Sequence, residues 1–538
     1  MVFGSDGLRS ASARRSTRVA AFVVAGLCAG GPAPAADEVG FERQTLRVPG
    51  TVQWVTDGDL DGDGRRDLVV SYRRKGGPAS ERFFAVFYRS ERGFGTRPSH
   101  MFRAPGAAAV FDVGPAVTDA EDEAPREELL FWAWDGLFSM SFAGRRVRGP
   151  TLRLPARTLI GAPEEEDLPH WDFARRVDDA PLLVVPTSTR TRLYRAQGGA
   201  WRPAGALPIR PLEQYDPETE TFRPAEDGGA PTRNYALRVT RSLPKLTFID
   251  QTGDGRADVV ASFEDRVEVY RGRPDGTFQP EPVARTWFRL RTPAEIENRD
   301  ATLYSTVVHL DRDGVADLCI SKSAGGLTTF RSEVRLYRGV QGGGFEPEPA
   351  QVFERASLGS LVSFVDVDGD GRAEMLQPAA EISLAAMVRA LFAKSFQVDI
   401  RIHRPREGDG FFEPDPVQVL TARFDLDLGS SATVRGAPPL FGHDFDGDGV
   451  PDALTSDGGD RIALHSGVPA RGTAPKRPFR ADAFVGLDGP TSGTTVVLKP
   501  GRAGGGPDVL VYYVGRDDLR SQLLVHANRY RPEVETTP

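Results

Sequence analysis

The chain has 538 residues, 58 glycines, 42 prolines, a hydrophobic content of 40% and a formal net charge of −8. This composition excludes an intrinsically disordered chain, and the length excludes a single compact core of ordinary design. The acidic balance argues against nucleic acid or an anionic membrane surface as the partner.

The first 36 residues have the three zones of a signal peptide. Four arginines between positions 9 and 18 form a basic leader, residues 19–29 are an apolar run too short for a membrane span, and APAA at 33–36 is a small-residue cleavage site. The Arg14-Arg15 pair leaves a twin-arginine route open, whereas Leu27 is too bulky before Cys28 for a lipid-attachment site. We therefore predict export to the periplasm or the outside of the cell. Because the leader carries a net charge of +3, the mature chain would carry about −11.

Beyond the leader, five segments repeat one pattern of an apolar strand, an acidic glycine-rich loop and a second apolar strand. They recur about every sixty residues, and they are VQWVTDGDLDGDGRRDLVVSY from Val52, LTFIDQTGDGRADVVASF from Leu246, VVHLDRDGVADLCIS from Val307, VSFVDVDGDGRAEMLQP from Val362 and LFGHDFDGDGVPDALTS from Leu440. A strand ending in Tyr-Arg or His-Arg, a glycine-containing turn and an aromatic residue also recur, which is typical of a β-hairpin. Each unit is therefore predicted to be a four-stranded antiparallel blade.

Three fainter copies, near residues 107, 170 and 494, raise the count of units to eight. We predict an all-β fold, a single β-propeller over residues 40–532 with eight blades, followed by a short tail at 533–538; seven blades are the alternative. The last unit shows three strands, and a strand near 44–48 would supply the fourth, close the ring and remove exposed sheet edges. The mature chain retains only Cys319, so it forms no internal disulfide, and we expect that thiol to be buried in a strand.

The acidic loops follow the pattern D-x-D-G-D-G-x-x-D, which indicates a calcium site. In the first loop Asp59, Asp61, Asp63 and Asp67 are predicted to converge on one ion, with the main-chain carbonyl of Arg65 as a further ligand. Carboxylates so close repel one another without a counter-ion, and all-oxygen ligation on a flexible loop favours Ca²⁺ over Zn²⁺ or Mg²⁺. The loop begins like an EF-hand, but strands flank it where an EF-hand has helices. A metal-free Asx-rich turn is the alternative interpretation.

The other four loops differ in how complete their carboxylates are. Two are complete, with the predicted ligands Asp366, Asp368, Asp370 and Glu374 in one and Asp444, Asp446, Asp448 and Asp452 in the other. Two are incomplete and are predicted to bind more weakly, with Asp250, Thr252, Asp254 and Asp258 in one and Asp311, Asp313 and Asp317, after His309, in the other. Five Ca²⁺ ions would nearly cancel the charge of the mature chain.

These residues resemble the FG-GAP or VCBS repeat family, whose members form calcium-bearing β-propellers that include the head propeller of integrin α subunits. The resemblance covers nearly the whole mature chain, strongly in five units and faintly in three. It implies metal ligands in the loops between the first two strands of a blade, which are the loops described above. The phenylalanine-glycine and glycine-alanine-proline signatures of the integrin type are not clearly kept, so an integrin-like ligand site is not implied. Bacterial members with such a leader are exported, and most have no assigned activity.

Two insertions depart from the repeat. Residues 206–244 are rich in proline and mixed in charge, which predicts a long surface excursion that is either a binding loop or a passive tether. Residues 379–396 are predicted to be the one helix of the chain. Its apolar face, formed by Leu384, Val388, Leu391 and Phe392, is expected to cap the propeller, with docking to a membrane or a partner as the alternative.

The sequence contains no G-x-S-x-G, H-E-x-x-H or C-x-x-C motif and no phosphate-binding loop, and His403 and His443 are interpreted as structural. We therefore predict a monomeric, exported, calcium-binding β-propeller that is not an enzyme and has no transmembrane segment in its mature form. It would serve as a binding or scaffold module for a protein or glycan ligand at the cell envelope or outside the cell. The alternative is a polysaccharide-active hydrolase or lyase built on a propeller frame.

Overall fold

The structure is a computed structural model that describes residues 40–529, apart from short segments at 75–80, 118–125, 162–167, 218–220, 224–231, 235–236, 299–300, 326–329, 359–360, 382, 407–409, 428–432, 459–460, 471–474, 489–492, 499–505 and 514–518. The predicted signal peptide and the predicted tail lie outside the described residues.

Eight antiparallel sheets, which we number as blades 1 to 8 in the order of their first strands, make up the fold. The strands of the first four blades are Gly50–Gly58, Asp67–Arg74, Arg82–Phe87 and His100–Arg103; Ala108–Pro115, Glu127–Ala133, Gly136–Ser141 and Arg148–Leu154; Ala174–Val177, Ala180–Pro186, Thr191–Gln197 and Ala200–Leu207; and Lys245–Ile249, Asp258–Ser262, Arg266–Tyr270 and Ala284–Trp287. Those of the last four are Ala301–Val308, Asp317–Ala324, Arg331–Tyr337 and Gln351–Arg355; Ser363–Val365, Glu374–Glu381, Ser395–His403 and Gln418–Asp427; Leu440–His443, Asp452–Ser456, Arg461–His465 and Val485–Asp488; and Gly493–Leu498, Asp508–Tyr513, Gln522–Asn528 and Phe41–Arg47.

The position of a strand within its blade explains its sequence pattern. Second strands such as Asp67–Arg74 are covered on both faces by neighbouring blades, so the first six residues of this strand are all buried. Fourth strands such as His100–Arg103 lie at the rim and alternate between half-buried and exposed residues. First strands of neighbouring blades contact one another in blades 1 and 2, 2 and 3, and 4 and 5, which places the first strands nearest the axis of the ring.

The hydrophobic core is divided among the interfaces between blades. Within the described part of the chain, the buried apolar side chains form eight clusters, one at each interface. The cluster between blades 8 and 1, for example, packs Leu46 and Leu510 against Val70 and Phe87, all of them fully buried. Burying a large apolar side chain contributes about 1.5–3 kcal/mol, so each interface holds its two blades together.

The ring is closed by the N-terminal strand. Phe41–Arg47 pairs antiparallel with Gln522–Asn528, so blade 8 takes three strands from the C-terminal end of the chain and its fourth from the N-terminal end. This confirms the prediction of an eight-bladed propeller closed near residues 44–48, and it excludes seven blades. The three faint sequence copies are blades 2, 3 and 8.

The predicted helix at 379–396 is shorter than expected, and it does not cap the propeller. Helix Leu384–Ala393 begins where the Ser383 hydroxyl accepts a hydrogen bond from the Ala386 amide, and it ends at Lys394 in the left-handed conformation. Residues 379–381 and 395–396 instead belong to the second and third strands of blade 6. Three members of the predicted capping face are solvent-exposed, Val388 at 43%, Leu391 at 52% and Phe392 at 87%, and the side chain of Leu384 lies outside the described set.

Two further features differ from the sequence-based expectation. A second short helix, Pro293–Asn298, joins blades 4 and 5; it spans less than two turns, so it leaves no clear periodic signal. The insertion at 206–244 begins inside the last strand of blade 3, and its described part pairs Leu212–Pro217 with Leu237–Ser242 and Thr221–Arg223 with Thr232–Asn234. It is therefore a strand-containing excursion.

The remaining elements are short. Blade 6 carries the added strands Ser357–Leu358 and Thr433–Arg435. Strand Arg89–Ser90 pairs with Gly93–Phe94, and a 3₁₀ turn spans Ala143–Arg145.

Cys319 and His403 are both buried. Cys319 is a free, buried cysteine, and burial raises the pKa of its thiol to about 12. His403 is fully buried and its Nδ1 lies 3.0 Å from the Glu413 carbonyl, in agreement with a structural role. None of the helices described here is long and apolar enough to span a bilayer.

Candidate metal centres in the acidic loops

The five acidic loops lie on one face of the ring. Each loop leaves the end of the first strand of its blade and returns into the second strand, in blades 1, 4, 5, 6 and 7. Since every blade runs its first strand in the same sense, the acidic loops gather at one end of the propeller and the starts of the first strands lie at the other end.

The first aspartate of a complete loop organises the turn around itself. In blade 1 the two carboxylate oxygens of Asp59 accept hydrogen bonds from the amides of Gly62 at 2.9 Å and Gly64 at 3.0 Å. Both glycines have a φ of 80°, a conformation that a residue with a Cβ rarely adopts. Asp366 and Asp444 hold their loops in the same way, and so does Asp250. The D-x-D-G-D-G spacing is therefore a local folding signal.

The acid at the ninth position ties the loop to the blade. Asp67 is fully buried and accepts hydrogen bonds from the amides of Leu60 at 3.1 Å and Arg89, after the third strand, at 2.9 Å. Burial, followed by the negative charges of Asp61 and Asp63, raises the pKa of Asp67 to about 7. Burial likewise raises the pKa of Asp452 to about 7. A charged group at this position thus stands in an unfavourable environment unless a cation is nearby.

Three loops bring carboxylate oxygens together within 4.8 Å of one another, and these are the loops whose sequences are complete. The groups, which we call the blade 1, blade 6 and blade 7 clusters, are Asp59, Asp61 and Asp67; Asp366, Asp368 and Glu374; and Asp444, Asp446 and Asp452.

The fifth-position aspartates are not part of these groups. An oxygen of Asp63, Asp370 and Asp448 accepts a hydrogen bond from the amide two residues further on, at 2.9, 2.7 and 2.8 Å respectively. In blade 1 that amide belongs to Arg65, whose guanidinium also pairs with Asp63. Of the four carboxylates predicted for each ion, the structure groups three and places the fourth in an Asx turn.

The blade 6 cluster has buried oxygens without protein partners. Asp368 is 2% exposed, and neither of its carboxylate oxygens has a hydrogen-bond partner; the same is true of one oxygen of fully buried Glu374. The reason at Glu374 is Pro405, which has no amide hydrogen and stands where Gly467 donates to Asp452 in blade 7. Burial, followed by the charges of Asp368, Asp370 and Asp366, raises the pKa of Glu374 to about 8.

The two incomplete loops do not assemble such a group among the described residues. In blade 4, Thr252 is buried and its hydroxyl has no partner, and Asp254 pairs with Arg256 at 2.5 Å. In blade 5, where His309 replaces the first aspartate, Asp311 pairs with Arg338 at 3.0 Å. The two loops with incomplete sequences are thus the ones without a grouped set of carboxylates, and their weaker binding of calcium stays a prediction.

Basic and hydroxyl side chains next to the clusters were not identified from sequence. Arg145 of blade 2 contacts Asp61 of the blade 1 cluster, with 2.7 Å between Nε and Oδ2, and Ser466 donates to Asp446 of the blade 7 cluster at 2.9 Å. The only sequence signal for Ser466 is its place in the Tyr-Arg or His-Arg pair of the repeat, and none marks Arg145, which lies 84 residues from Asp61.

The three clusters fit a hard divalent cation. Their donors are carboxylate oxygens on a turn with flexible glycines, the type of ligand set that suits Ca²⁺. The buried oxygens of Asp368 that lack a protein partner add a second observation in favour of a cation, since an unpaired buried carboxylate is costly.

The fold and the loops define the class of this protein: an eight-bladed β-propeller with acidic loops between the first two strands of its blades. Residues 309–376 match the model of an FG-GAP-like repeat, and they run from the acidic loop of blade 5 into the second strand of blade 6. The match and the eight-bladed ring fit an FG-GAP repeat propeller. No curated protein matches the chain.

Several solved structures are similar to the chain at low identity. A lectin of Agrocybe aegerita that recognises non-reducing terminal N-acetylglucosamine is 14% identical, with 93% of this chain and 98% of that chain covered and a TM-score of 0.36. An exotype rhamnogalacturonan lyase is 11% identical, with 91% and 76% covered and a TM-score of 0.21. The Dos1 propeller is 7% identical, with 92% and 97% covered and a TM-score of 0.32. At these values the likeness says nothing about what this chain binds.

Proposed function

We propose that the chain is an exported, calcium-stabilised β-propeller, that the blade 1, blade 6 and blade 7 clusters each hold one Ca²⁺, and that the ring serves as a binding or scaffold module. The ligand would be a protein or a glycan at the cell envelope or outside the cell. The acidic loops of blades 4 and 5 would bind more weakly or remain metal-free.

The observation that carries the calcium part of the proposal is the grouping of three carboxylates within 4.8 Å in each complete loop. Three negative charges so close destabilise a folded protein, and a bound divalent cation offsets their repulsion. An ion on this loop would connect the end of the first strand to the start of the second, because Asp59 and Asp67 stand at those two points. The role of the ion is therefore structural.

A structural cation is also consistent with the thiol chemistry of the chain. Cys319 is the one cysteine of the described residues, and it is buried and unpaired, so disulfides do not stabilise the ring. Ions that bind the folded state and not the unfolded chain shift the unfolding equilibrium by mass action.

The binding part of the proposal concerns the face opposite the acidic loops. A cavity of about 230 Å³ lies there between blades 3 and 4, lined in part by Trp171, Asp172, Arg175 and Lys245. Asp172 precedes the first strand of blade 3, and Lys245 begins the first strand of blade 4, so both stand at the end of the ring away from the calcium loops. An indole ring beside charged groups in a concave site is a setting in which a small polar ligand binds.

The decisive experiment for calcium is metal analysis of the purified mature protein after dialysis against buffer with Ca²⁺. We expect about three ions per chain, one for each cluster, and a lower thermal midpoint after treatment with a chelator. A chain that contains no calcium, and whose midpoint does not respond to the chelator, would overturn the proposal.

The binding role is tested with a panel of immobilised glycans and envelope proteins, scored for both retention and chain shortening. Retention that is lost in Trp171→Ala, and kept in a variant of exposed Trp134, would support a binding module. Shortening of a glycan chain would favour the hydrolase or lyase alternative instead.

A further inference from the structure

One position fixed by strand register lies beside each acidic loop, and it holds an arginine in blades 4, 5 and 6 but not in blades 1 and 7. In each blade the second residue of the second strand pairs with a residue of the third strand, and the position meant is the one directly after that partner. It is occupied by Tyr88 in blade 1, Arg271 in blade 4, Arg338 in blade 5, Arg404 in blade 6 and Ser466 in blade 7. In blade 5 this position supplies the cation that pairs with Asp311, and in blade 7 it supplies a neutral hydroxyl to Asp446. Blade 1 has an uncharged tyrosine there.

The cation beside the blade 1 cluster comes from blade 2. Arg145 Nε lies 2.7 Å from Asp61 Oδ2, Arg145 Nη2 lies 3.4 Å from Asp63 Oδ2, and the guanidinium stands 5.0 Å from the centre of the Tyr88 ring. The Asp61 side chain is 4% exposed, whereas that of Arg145 is 52% exposed. The arginine thus covers the loop from the solvent side.

The backbone of the 3₁₀ turn holds Arg145 in this orientation. The Arg145 amide donates to the Phe142 carbonyl at 2.8 Å, and His100 Nε2 donates to the Arg145 carbonyl at 2.9 Å. Arg145 has a φ of 60° and the preceding Gly144 a φ of 61°, so the turn is left-handed at two successive residues. A non-glycine residue in this region indicates that the surrounding contacts determine its conformation.

We infer that Arg145 and Ca²⁺ are alternative occupants of the blade 1 cluster, so that calcium enters this loop only when the guanidinium leaves it. The inference rests on the proposed function, in which the cluster holds calcium. Asp61 belongs to the cluster and is the closest partner of Arg145, and two cations in contact with one buried carboxylate would repel each other. In blade 6 Arg404 lies near Asp368, but no ion pair joins these two described residues and the Asp368 oxygens have no hydrogen-bond partner, whereas in blade 7 Asp446 accepts from the hydroxyl of Ser466.

Two consequences follow. Blade 1 is the weakest of the three sites, and it fills last as calcium rises. Filling it releases the ion pairs that Arg145 of blade 2 makes with the loop of blade 1, so calcium alters one specific contact between neighbouring blades. An ion pair with an exposed partner is worth up to about 1 kcal/mol, so the competition weakens calcium binding by roughly twofold to fivefold without abolishing it.

The test is a titration of the mature protein with Tb³⁺, an oxygen-seeking calcium substitute whose emission is excited through a nearby tyrosine. Tyr88 stands beside the blade 1 cluster, so the part of the emission that is lost in Tyr88→Phe reports on this site. In the wild type we expect the Tyr88-dependent emission to rise only after two tighter sites are filled. Calorimetry of the same titration shows when those two sites are filled. In Arg145→Gln the midpoint of the Tyr88-dependent emission should fall by roughly twofold to fivefold, and Arg145→Lys should restore most of the wild-type midpoint.

A matched control removes one exposed arginine from another ion pair. Arg241→Gln loses a side chain that is 47% exposed and pairs with Glu213 at 2.9 Å in the insertion after blade 3, and its Tyr88-dependent midpoint should equal that of the wild type. An unchanged midpoint in Arg145→Gln, or filling of the Tyr88-dependent site before the other two in the wild type, overturns the inference and leaves the proposed function standing. Absence of any Tb³⁺ or Ca²⁺ binding in every variant overturns both.

Discussion

The side chain of Gln418 in blade 6 makes two hydrogen bonds to the main chain of Phe479 in blade 7. Its Nε2 donates to the Phe479 carbonyl at 2.9 Å, and its Oε1 accepts from the Phe479 amide at 2.9 Å. Gln351 bonds in the same way to Phe412, from blade 5 to blade 6. In each case the glutamine side chain bonds to the main-chain amide and carbonyl of an aromatic residue that follows the third strand of the next blade, as a neighbouring strand would.

Gln418→Leu should therefore destabilise the junction of blades 6 and 7. Leucine has a similar volume but cannot bond to Phe479, whose amide and carbonyl would remain buried without partners. We expect a loss of about 2–6 kcal/mol in the free energy of unfolding, since each of the two unsatisfied buried groups costs about 1–3 kcal/mol. Calorimetric unfolding in the presence of Ca²⁺ measures the loss. Gln197→Leu, at an exposed hairpin position, is the control, and equal midpoints for the two variants would contradict the prediction.

Closure of the ring by the N-terminal strand gives a second prediction. Leu46 is fully buried between blades 8 and 1, and Leu46→Ala should cost about 2–5 kcal/mol through lost contacts and the cavity left behind. The neighbouring Arg47→Ala, at an exposed position of the same strand, should change stability by less than about 0.5 kcal/mol. Denaturant unfolding of the two variants distinguishes a strand that closes the ring from one that merely lies beside it. Similar stabilities of the two would speak against closure as a source of stability.

Substitutions in the acidic loop of blade 7 distinguish how much a grouped aspartate and an aspartate in an Asx turn contribute to calcium binding. Asp446 belongs to the three grouped carboxylates, whereas an oxygen of Asp448 is engaged with the Val450 amide. We expect Asp446→Asn to lower the calcium content by one ion per chain and Asp448→Asn to weaken binding less. Metal analysis combined with isothermal titration gives both numbers, and exposed Asp482→Asn is a control for the loss of one charge. A larger effect of Asp448→Asn would show that the fourth carboxylate leaves its Asx turn to bind the ion.

The metal-free protein should become more stable as the pH falls. Burial and neighbouring carboxylates raise the pKa of Asp67 and Asp452 to about 7 and that of Glu374 to about 8, above the ordinary values of 3.8 and 4.5. The folded chain then binds protons more tightly than the unfolded chain, so stability grows as the pH falls through 8 and 7 and the gain is complete near the ordinary pKa values. Saturating calcium should reverse this trend, because protons then compete with the ion.

Thermal midpoints of chelator-stripped protein between pH 8.5 and 5.5, with and without added Ca²⁺, check the sign. The double variant Asp452→Asn with Glu374→Gln should flatten the metal-free profile, because two of the titrating groups are removed. A metal-free midpoint that falls with falling pH would refute this assignment of the buried acids.

Much of the architecture can be predicted from sequence because its signals are local. The alternation of apolar residues predicts the strands, and the glycines of D-x-D-G-D-G predict turns wound around Asp59 and its counterparts. The repeat occurs eight times and its last copy lacks a strand that residues 44–48 can supply, so the sequence predicts eight blades and a closed ring. The grouping of Asp59, Asp61 and Asp67 is also local, since nine residues contain the whole loop. The helix ends were predicted less well, because pairing of Phe396 with Phe424 in blade 6 outweighs helical propensity there.

What only the tertiary structure decided are the contacts between residues far apart in the chain. Gln418 meets Phe479 across 61 residues, and Arg145 meets Asp61 across 84, because the ring sets neighbouring blades side by side. A single arginine or glutamine carries no local pattern that reveals its partner, since its long side chain can turn in many directions until packing selects one. The sequence by itself thus determined which loops could attract a cation. The arrangement of the blades determined that the blade 1 loop forms an ion pair with an arginine of the neighbouring blade.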